Sequence, residues 1–156
     1  MIKINLKNLN RKRKVDLARV AEAAETALRA LGLEDAEVNI VLVSNQKIRA
    51  MNRRYLGKDA STDVIAWPAY GDPLFTENGA TGFLGDIAVS SDKAAANAAI
   101  YGQTFGWELV LYVIHGLLHL KGFDDRNDKD RRKMRAKEDE LLQRVQKRTA
   151  GFQGKR

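Results

Sequence analysis

Residues 107–125 read W-E-L-V-L-Y-V-I-H-G-L-L-H-L-K-G-F-D-D, and they carry the only two histidines of the 156-residue chain, His115 and His119. The stretch is mostly apolar, which predicts a buried helix over about residues 107–121. Gly122 follows at the position where a helix end favours a left-handed backbone. Because a step of four residues rotates about 400° around a helix axis, the two imidazoles should lie on one face.

This spacing is the one with which a helix offers two nitrogens to a single metal ion. After Gly122 the chain can turn back, so Asp124 or Asp125 could bring a carboxylate to the same point. The alternative is that His115 and His119 are ordinary core residues, each with one hydrogen bond. Two imidazoles on one buried face would then need two separate sets of polar partners, which favours a His-His-Asp metal site with an open coordination position.

The charge balance favours a polyanionic partner. The formal net charge is +7 at pH 7, and 30% of the residues are charged. This favours RNA or DNA as a partner, although a basic protein can also merely be soluble. The chain has no cysteine, so it has no disulfide framework, and any metal must be held by nitrogen and oxygen.

The N-terminus, M-I-K-I-N-L-K, lacks the apolar core of a secretion signal. No uninterrupted apolar run approaches the roughly 18 residues expected of a membrane span. These features predict a cytoplasmic protein with no membrane partner.

Hydrophobic periodicity predicts elements in the order β-α-β-α-β-β-α-α-α. The strands are predicted at about residues 2–6, 37–43, 62–67 and 83–89, and the helices at about 16–31, 44–55, 91–101, 107–121 and 127–147. Residues 69–82 have no period and predict a long loop. The order implies a single α+β domain over residues 1–156, with a mixed four-stranded sheet packed with about five helices.

The last predicted helix is strongly basic and runs into a basic tail at residues 147–156. Arg131, Arg132 and Arg135 stand on it, beside a thin apolar stripe. This pattern is typical of a solvated helix with ion pairs, and it also fits a helix that contacts RNA phosphates. Both interpretations remain open from the sequence.

Three stretches resemble one family. H-G-L-L-H-L-K-G-F-D-D at 115–125 resembles H-G-x-L-H-L-x-G-Y-D-H, the signature of the YbeY endoribonucleases, which are bacterial rRNA maturation factors. N-R-R-Y-L-G-K-D-A-S-T-D-V-I-A-W-P, within 51–68, resembles the family's L-N-x-x-Y-R-x-K-D-x-P-T-D-V-L-S-F-P, and L-G-D-I-A-V at 84–89 matches L-G-D-I-x-I.

The resemblance implies a zincin-like α+β domain with one zinc ion per chain on a central helix. It also implies single-strand-specific RNA cleavage in ribosomal RNA maturation and ribosome quality control, with the small ribosomal subunit as a partner. His115, His119 and Asp125 are then the expected metal ligands and catalytic residues. Asp124 is expected to be an outer-shell partner or a cap.

The chain departs from the family pattern at two positions. Asp125 stands in place of the third motif histidine, and Leu56 stands in place of the arginine that follows the motif tyrosine. Two nitrogens and one carboxylate oxygen still form a set that catalytic zinc accepts. Arg53 or Arg54 is a candidate to replace the missing arginine in RNA binding.

Two other functions compete with an endoribonuclease. The first is a metallopeptidase on a related scaffold, which is disfavoured because Gly116 stands where H-E-x-x-H peptidases carry their glutamate base. The second is a ribosome-assembly protein that binds RNA and whose metal is structural. The sequence does not identify a general base, and Asp86 is a weak candidate through its family motif alone.

Overall fold

The computed structural model describes residues 1–69 and 82–148. The elements of this part of the chain are, in order, β1 (Lys3–Asn8), α1 (Leu17–Ala30), β2 (Ala36–Val43), α2 (Asn45–Leu56), β3 (Val64–Pro68), β4 (Gly82–Ser90), α3 (Ser91–Tyr101), α4 (Phe105–Lys121) and α5 (Asp128–Arg148). The predicted element order and the α+β class with a mixed four-stranded sheet and five helices are confirmed. Most of the predicted 69–82 loop, and the tail from residue 149 onward, lie outside the described residues.

The four strands form one sheet in the order β1-β2-β4-β3. β1 and β4 both run parallel to β2, and β3 runs antiparallel to β4 at the edge. Gly85 permits the close approach of β3, because a Cβ at this position would lie 2.2 Å from the carbonyl oxygen of Trp67. Its φ of +147° is also a conformation that side chains of L-residues rarely adopt.

One face of the sheet carries the main core. Alternate residues of β2, among them Val38, Ile40 and Leu42, point to this face and are fully buried. α1 and α4 pack against it, and α5 packs against both of these helices. Gly116 lets α4 lie close to β4, since a Cβ there would meet the Ile87 side chain at 2.8 Å. The sheet therefore supports the middle of the helix that carries the two histidines.

The opposite face of the sheet is only partly covered. α2 packs there over a smaller cluster of buried residues, which comprises Val43, Ile48, Ile65 and Ala88. Beyond α2, polar side chains bond across the strands: the Asn5 amide donates to Asn39 at 2.9 Å, and the Asn39 amide donates to Asp86 at 3.1 Å. We call this region the open face.

α4 begins two residues earlier than predicted, because the Thr104 side chain caps it by accepting a hydrogen bond from the Trp107 backbone at 3.2 Å. It ends as predicted at Gly122, which has a φ of +111°. Over the described ranges, no helix is both long enough and apolar enough to cross a membrane.

Candidate metal centre

His115 and His119 lie side by side on α4, one turn apart. Their Nε2 atoms are 3.1 Å from each other, and their ring centroids are 4.8 Å apart. The side chains keep 25% and 29% of their surface exposed, so both rings are packed but reachable. The prediction that the two imidazoles share one face of this helix agrees with the geometry.

Asp125 brings a carboxylate to the same point. After Gly122 the chain reverses, with the Phe123 N–H donating to the Leu118 carbonyl at 2.9 Å. One carboxylate oxygen of Asp125 then lies 3.7 Å from the His115 Nε2 and 3.8 Å from the His119 Nε2.

The donor atoms of His115, His119 and Asp125 lie within 4.8 Å of one another. Two imidazole nitrogens and one carboxylate oxygen are a set of protein ligands found in catalytic zinc sites. Such sites leave the fourth coordination position to water or substrate. The three residues therefore fit a divalent metal ion.

Glu138 supports His115 from α5. Its carboxylate lies 3.2 Å from the His115 Nδ1, and the residue is only 8% exposed. Because a carboxylate can only accept, Nδ1 must be the protonated nitrogen, which leaves Nε2 free to face a metal. Sequence reasoning missed this residue. The available signal was an acidic residue in the apolar stripe of α5, four residues after the buried Met134.

The surroundings give the two histidines different proton affinities. Burial has the largest single effect on the pKa of His115 and lowers it, but the hydrogen bond and charge of Glu138 act in the opposite direction. The net result is a raised pKa for His115. Burial, and then the neighbouring His115, lower the pKa of His119. Near neutral pH, His119 therefore offers an unprotonated nitrogen, as a metal ligand must.

Asp124 takes a different role from its neighbour. One of its oxygens accepts a hydrogen bond from the Asp125 backbone N–H at 2.7 Å, and the other pairs with Arg126. These contacts fix the backbone on which Asp125 stands. Asp124 does not belong to the cluster of three donors among the described residues, which agrees with its predicted place as a cap or outer partner.

A cleft of about 830 Å³ leads to the metal centre between α2, β3 and the end of α4. Its lining includes His119 and Phe123, the cationic side chains of Lys58 and Arg126, and Asp124. Leu56 also lines it and is 51% exposed, so an aliphatic side chain occupies the position of the family arginine. Sequence reasoning missed both cations, because they stand in loops that only the fold brings to the cleft.

The other predicted residues lie away from the three donors. Asp86 is on the open face, where it bonds to Asn39, whereas its neighbour Ile87 faces α4. The weak candidacy of Asp86 as a general base is therefore wrong. The sequence does not predict which face of the sheet Asp86 occupies, because a strand that is buried on both faces shows no clear alternation of apolar and polar residues.

The candidate RNA-binding arginines occupy two places. Arg53 and Arg54 are exposed near the end of α2, and the Arg54 guanidinium lies 5.4 Å from the centre of the Tyr55 ring. Arg131 and Arg132 are exposed on α5, and Arg131 pairs with Asp128.

Arg135 stands one turn before Glu138 and lines a second pocket with Asp63 and Tyr112. In that pocket the Asn97 amide donates to the Tyr112 hydroxyl at 2.5 Å. Burial raises the pKa of Tyr112 to about 12, so this hydroxyl stays protonated at neutral pH.

Comparison with known proteins identifies the family. The family model described as Endoribonuclease YbeY matches residues 5–146. The chain belongs to the YbeY endoribonuclease family. The resemblance of the three sequence motifs is thereby confirmed.

Relatives named Endoribonuclease YbeY match over most of the chain. One from Anaeromyxobacter sp. strain Fw109-5 is 44% identical over 123 residues, which are 79% of this chain and 62% of the relative. One from Geobacter sulfurreducens is 36% identical over 143 residues, covering 90% of this chain and 94% of the relative. The match to the Anaeromyxobacter YbeY relatives spans about three fifths of their length.

The fold has a counterpart among solved structures. The solution structure of TM1509 from Thermotoga maritima aligns with a TM-score of 0.62 at 28% identity, covering 95% of this chain and 91% of that one. The YbeY family fold therefore extends across nearly the whole chain.

Proposed function

We propose that this protein is a zinc-dependent endoribonuclease that hydrolyses phosphodiester bonds of single-stranded ribosomal RNA in the cytoplasm. It acts in ribosomal RNA maturation and ribosome quality control, with the small ribosomal subunit as its partner. One observation carries the proposal: in a chain of the YbeY family, three metal donors lie together beside a cleft that His119 lines and whose wall includes Lys58 and Arg126.

His115, His119 and Asp125 are the proposed ligands of one zinc ion. When bound, such an ion makes a water molecule more acidic and stabilises negative charge that develops on a phosphoryl oxygen. Glu138 holds the proton on the His115 Nδ1, so that the Nε2 lone pair points to the ligand position.

Substrate positioning is assigned to the cleft wall. Lys58 and Arg126 line the cleft that His119 also lines, and they are the proposed contacts for the phosphates that flank the scissile bond. Leu56 leaves the cleft with one cation fewer than the family pattern has. We expect the phosphate contacts of Lys58 to be correspondingly more important in this chain.

A metallopeptidase is disfavoured by the environment of Gly116. This position is buried against Ile87, so a glutamate side chain would clash with the sheet rather than reach the donors. The alternative function is a protein that binds RNA and has a structural metal. An RNA-cleavage assay distinguishes it from a nuclease.

The test compares RNA and protein substrates with purified protein. Labelled single-stranded RNA, the same RNA annealed to its complement, and casein are incubated with the protein before and after chelation, with zinc then added back. The proposal expects cleavage of single-stranded RNA alone, lost with chelator and in His119→Ala, and restored by zinc only in the wild type.

Metal content is measured on the same samples by elemental analysis. Binding of RNA without cleavage, under conditions where zinc is bound, would favour the assembly protein instead. Cleavage of casein would favour the peptidase. RNA cleavage that survives complete removal of metal would refute the site.

A further inference from the structure

A second concavity lies on the open face of the sheet, on the other side of α2 from the metal cleft. Its volume is about 420 Å³, within the range of pockets that enclose small organic ligands. We call it the open-face groove. Its lining residues are Asn39, Val41, Met51, Tyr55, Trp67, Asp86 and Ile87.

One wall of the groove is aromatic. Tyr55 is 57% exposed, and its ring meets that of Trp67 edge to face at a centroid distance of 5.7 Å. The Arg54 guanidinium lies 5.4 Å from the centre of the Tyr55 ring. An exposed tyrosine beside a tryptophan and an arginine supplies the aromatic and cationic groups with which proteins hold the bases of single-stranded nucleic acids.

The groove also carries a carboxylate that can read a base edge. Asp86 is exposed and, among the described residues, is bonded only through one oxygen, to the Asn39 amide at 3.1 Å. Trp67 is its direct partner across the β3–β4 pair, so the two side chains stand together on one face. The Trp67 indole N–H is buried and has no hydrogen-bond partner within the described ranges.

This combination favours guanine among the four bases. The Watson–Crick edge of guanine offers two adjacent N–H donors, which a carboxylate can accept together. Adenine and cytosine offer one donor beside an unprotonated nitrogen, which repels a carboxylate. Uracil places its one N–H between two carbonyl oxygens.

The groove and the metal cleft share two elements. On α2, Tyr55 lines the groove, and the next residue, Leu56, lines the cleft. On β3, Trp67 lines the groove, whereas Ala66 and Pro68 line the cleft. A short stretch of single-stranded RNA that crosses the end of α2 can therefore occupy both.

We infer that the open-face groove is a base-binding subsite that holds one nucleobase of single-stranded RNA, with guanine preferred, next to the nucleotides in the metal cleft. This inference rests on the proposed function for the identity of the ligand. It assigns stacking to Tyr55 and base reading to Asp86.

The experiment measures binding of four fluorescently labelled uridine pentamers whose central base is G, A, C or U. Titrations are done on ice, and a gel confirms that each RNA is intact. The wild type should bind the G pentamer about tenfold more tightly than the others, as expected for one well-formed pair of hydrogen bonds to a base. Glu22→Gln, which removes a negative charge on α1 at the opposite face, is the control.

The decisive variant is Asp86→Asn. Loss of a negative charge alone would strengthen binding of all four RNAs, whereas the subsite predicts an approximately tenfold loss for the G pentamer only. Tyr55→Ala should weaken all four by about tenfold, Tyr55→Phe should restore binding, and Tyr101→Ala, at an exposed tyrosine on α3, should change nothing. Circular dichroism checks that each variant is folded.

Equal affinity of the wild type for the four pentamers, or a guanine preference that survives in Asp86→Asn, would overturn the inference. The two proposals fail separately. A protein that prefers guanine through Asp86 but cleaves no RNA would support the subsite and refute the nuclease. A protein that cleaves RNA but shows no guanine preference would support the nuclease and refute the subsite.

Discussion

Replacement of Glu138 should weaken metal binding although this residue is not a proposed ligand. The Glu138 carboxylate is the hydrogen-bond acceptor for the His115 Nδ1 at 3.2 Å, and it is nearly excluded from water. Glu138→Ala leaves that N–H without its acceptor and lets the ring rotate. Loss of a hydrogen bond to a buried partner costs about 2 kcal/mol, which corresponds to a roughly thirtyfold lower zinc affinity.

Glu138→Gln separates the hydrogen bond from the charge. The amide oxygen can still accept from Nδ1, but the negative charge that makes the imidazole a better donor to metal is gone. Since hydrogen bonds to charged groups are about twice as strong as neutral ones, we expect about half of the free-energy loss, or a roughly fivefold weaker affinity. The predicted order of affinity is wild type, then Glu138→Gln, then Glu138→Ala.

The assay is competition for zinc against a chromophoric chelator, with a thermal melt of the metal-free protein to confirm folding. Glu140→Ala is the matched control, because this exposed glutamate on the same helix pairs with Lys137 and does not approach His115. Zinc affinity of Glu138→Ala within twofold of the wild type would refute the assigned role, as would an equal loss in Glu140→Ala.

Three further predictions address the ligands, the fold and the basic surface. Asp125→Asn should lose most of its zinc on dialysis, while Asp124→Asn keeps it; elemental analysis with the opposite result would mean that the wrong aspartate is assigned. Asp92→Ala should lower the free energy of unfolding by about 2 kcal/mol at pH 7. Burial raises the pKa of Asp92, but its hydrogen bonds to Asn45, Arg13 and Asn10 outweigh burial, and the net result is a lowered pKa. The stabilisation is therefore present above the unfolded-state pKa and disappears as the pH falls through the folded-state pKa. Denaturant melts at pH 7 and pH 3 test this, and an equal difference at both would contradict it. Charge reversal of Arg131, Arg132 and Arg135 on α5 should flatten the salt dependence of RNA affinity between about 50 and 200 mM, and an unchanged slope would make that surface a solvated helix face.

Most of the fold could be predicted because its signals are local. Helix stops coincide with glycines, as at Gly57 and Gly122, and the strands are short apolar runs between turn residues. The early start of α4 was missed because the cap, Thr104, precedes the apolar run by several residues. Such boundaries depend on one side-chain bond rather than on periodicity.

The metal centre could be predicted only in part. Helical geometry places His115 and His119 together from their spacing alone. The choice between the two aspartates depends on the path after Gly122, which spacing does not determine. The sequence marks Glu138 only as an acidic residue in an apolar stripe and does not assign its partner, because its contact with His115 exists only once α5 has packed on α4.

The proposed ligands and their supporting glutamate all come from α4, the turn after it, and α5, which are consecutive in the chain. The cations of the metal cleft come partly from that turn, but its remaining wall and the whole open-face groove are built by earlier parts of the sequence. The residues proposed for chemistry and most of those proposed for substrate choice thus lie in separate stretches of the chain. Under the two proposals, substitutions before α4 change how RNA is recognised without altering the metal donors, and position 56, where this chain has leucine in place of the family pattern's arginine, lies in that part of the chain.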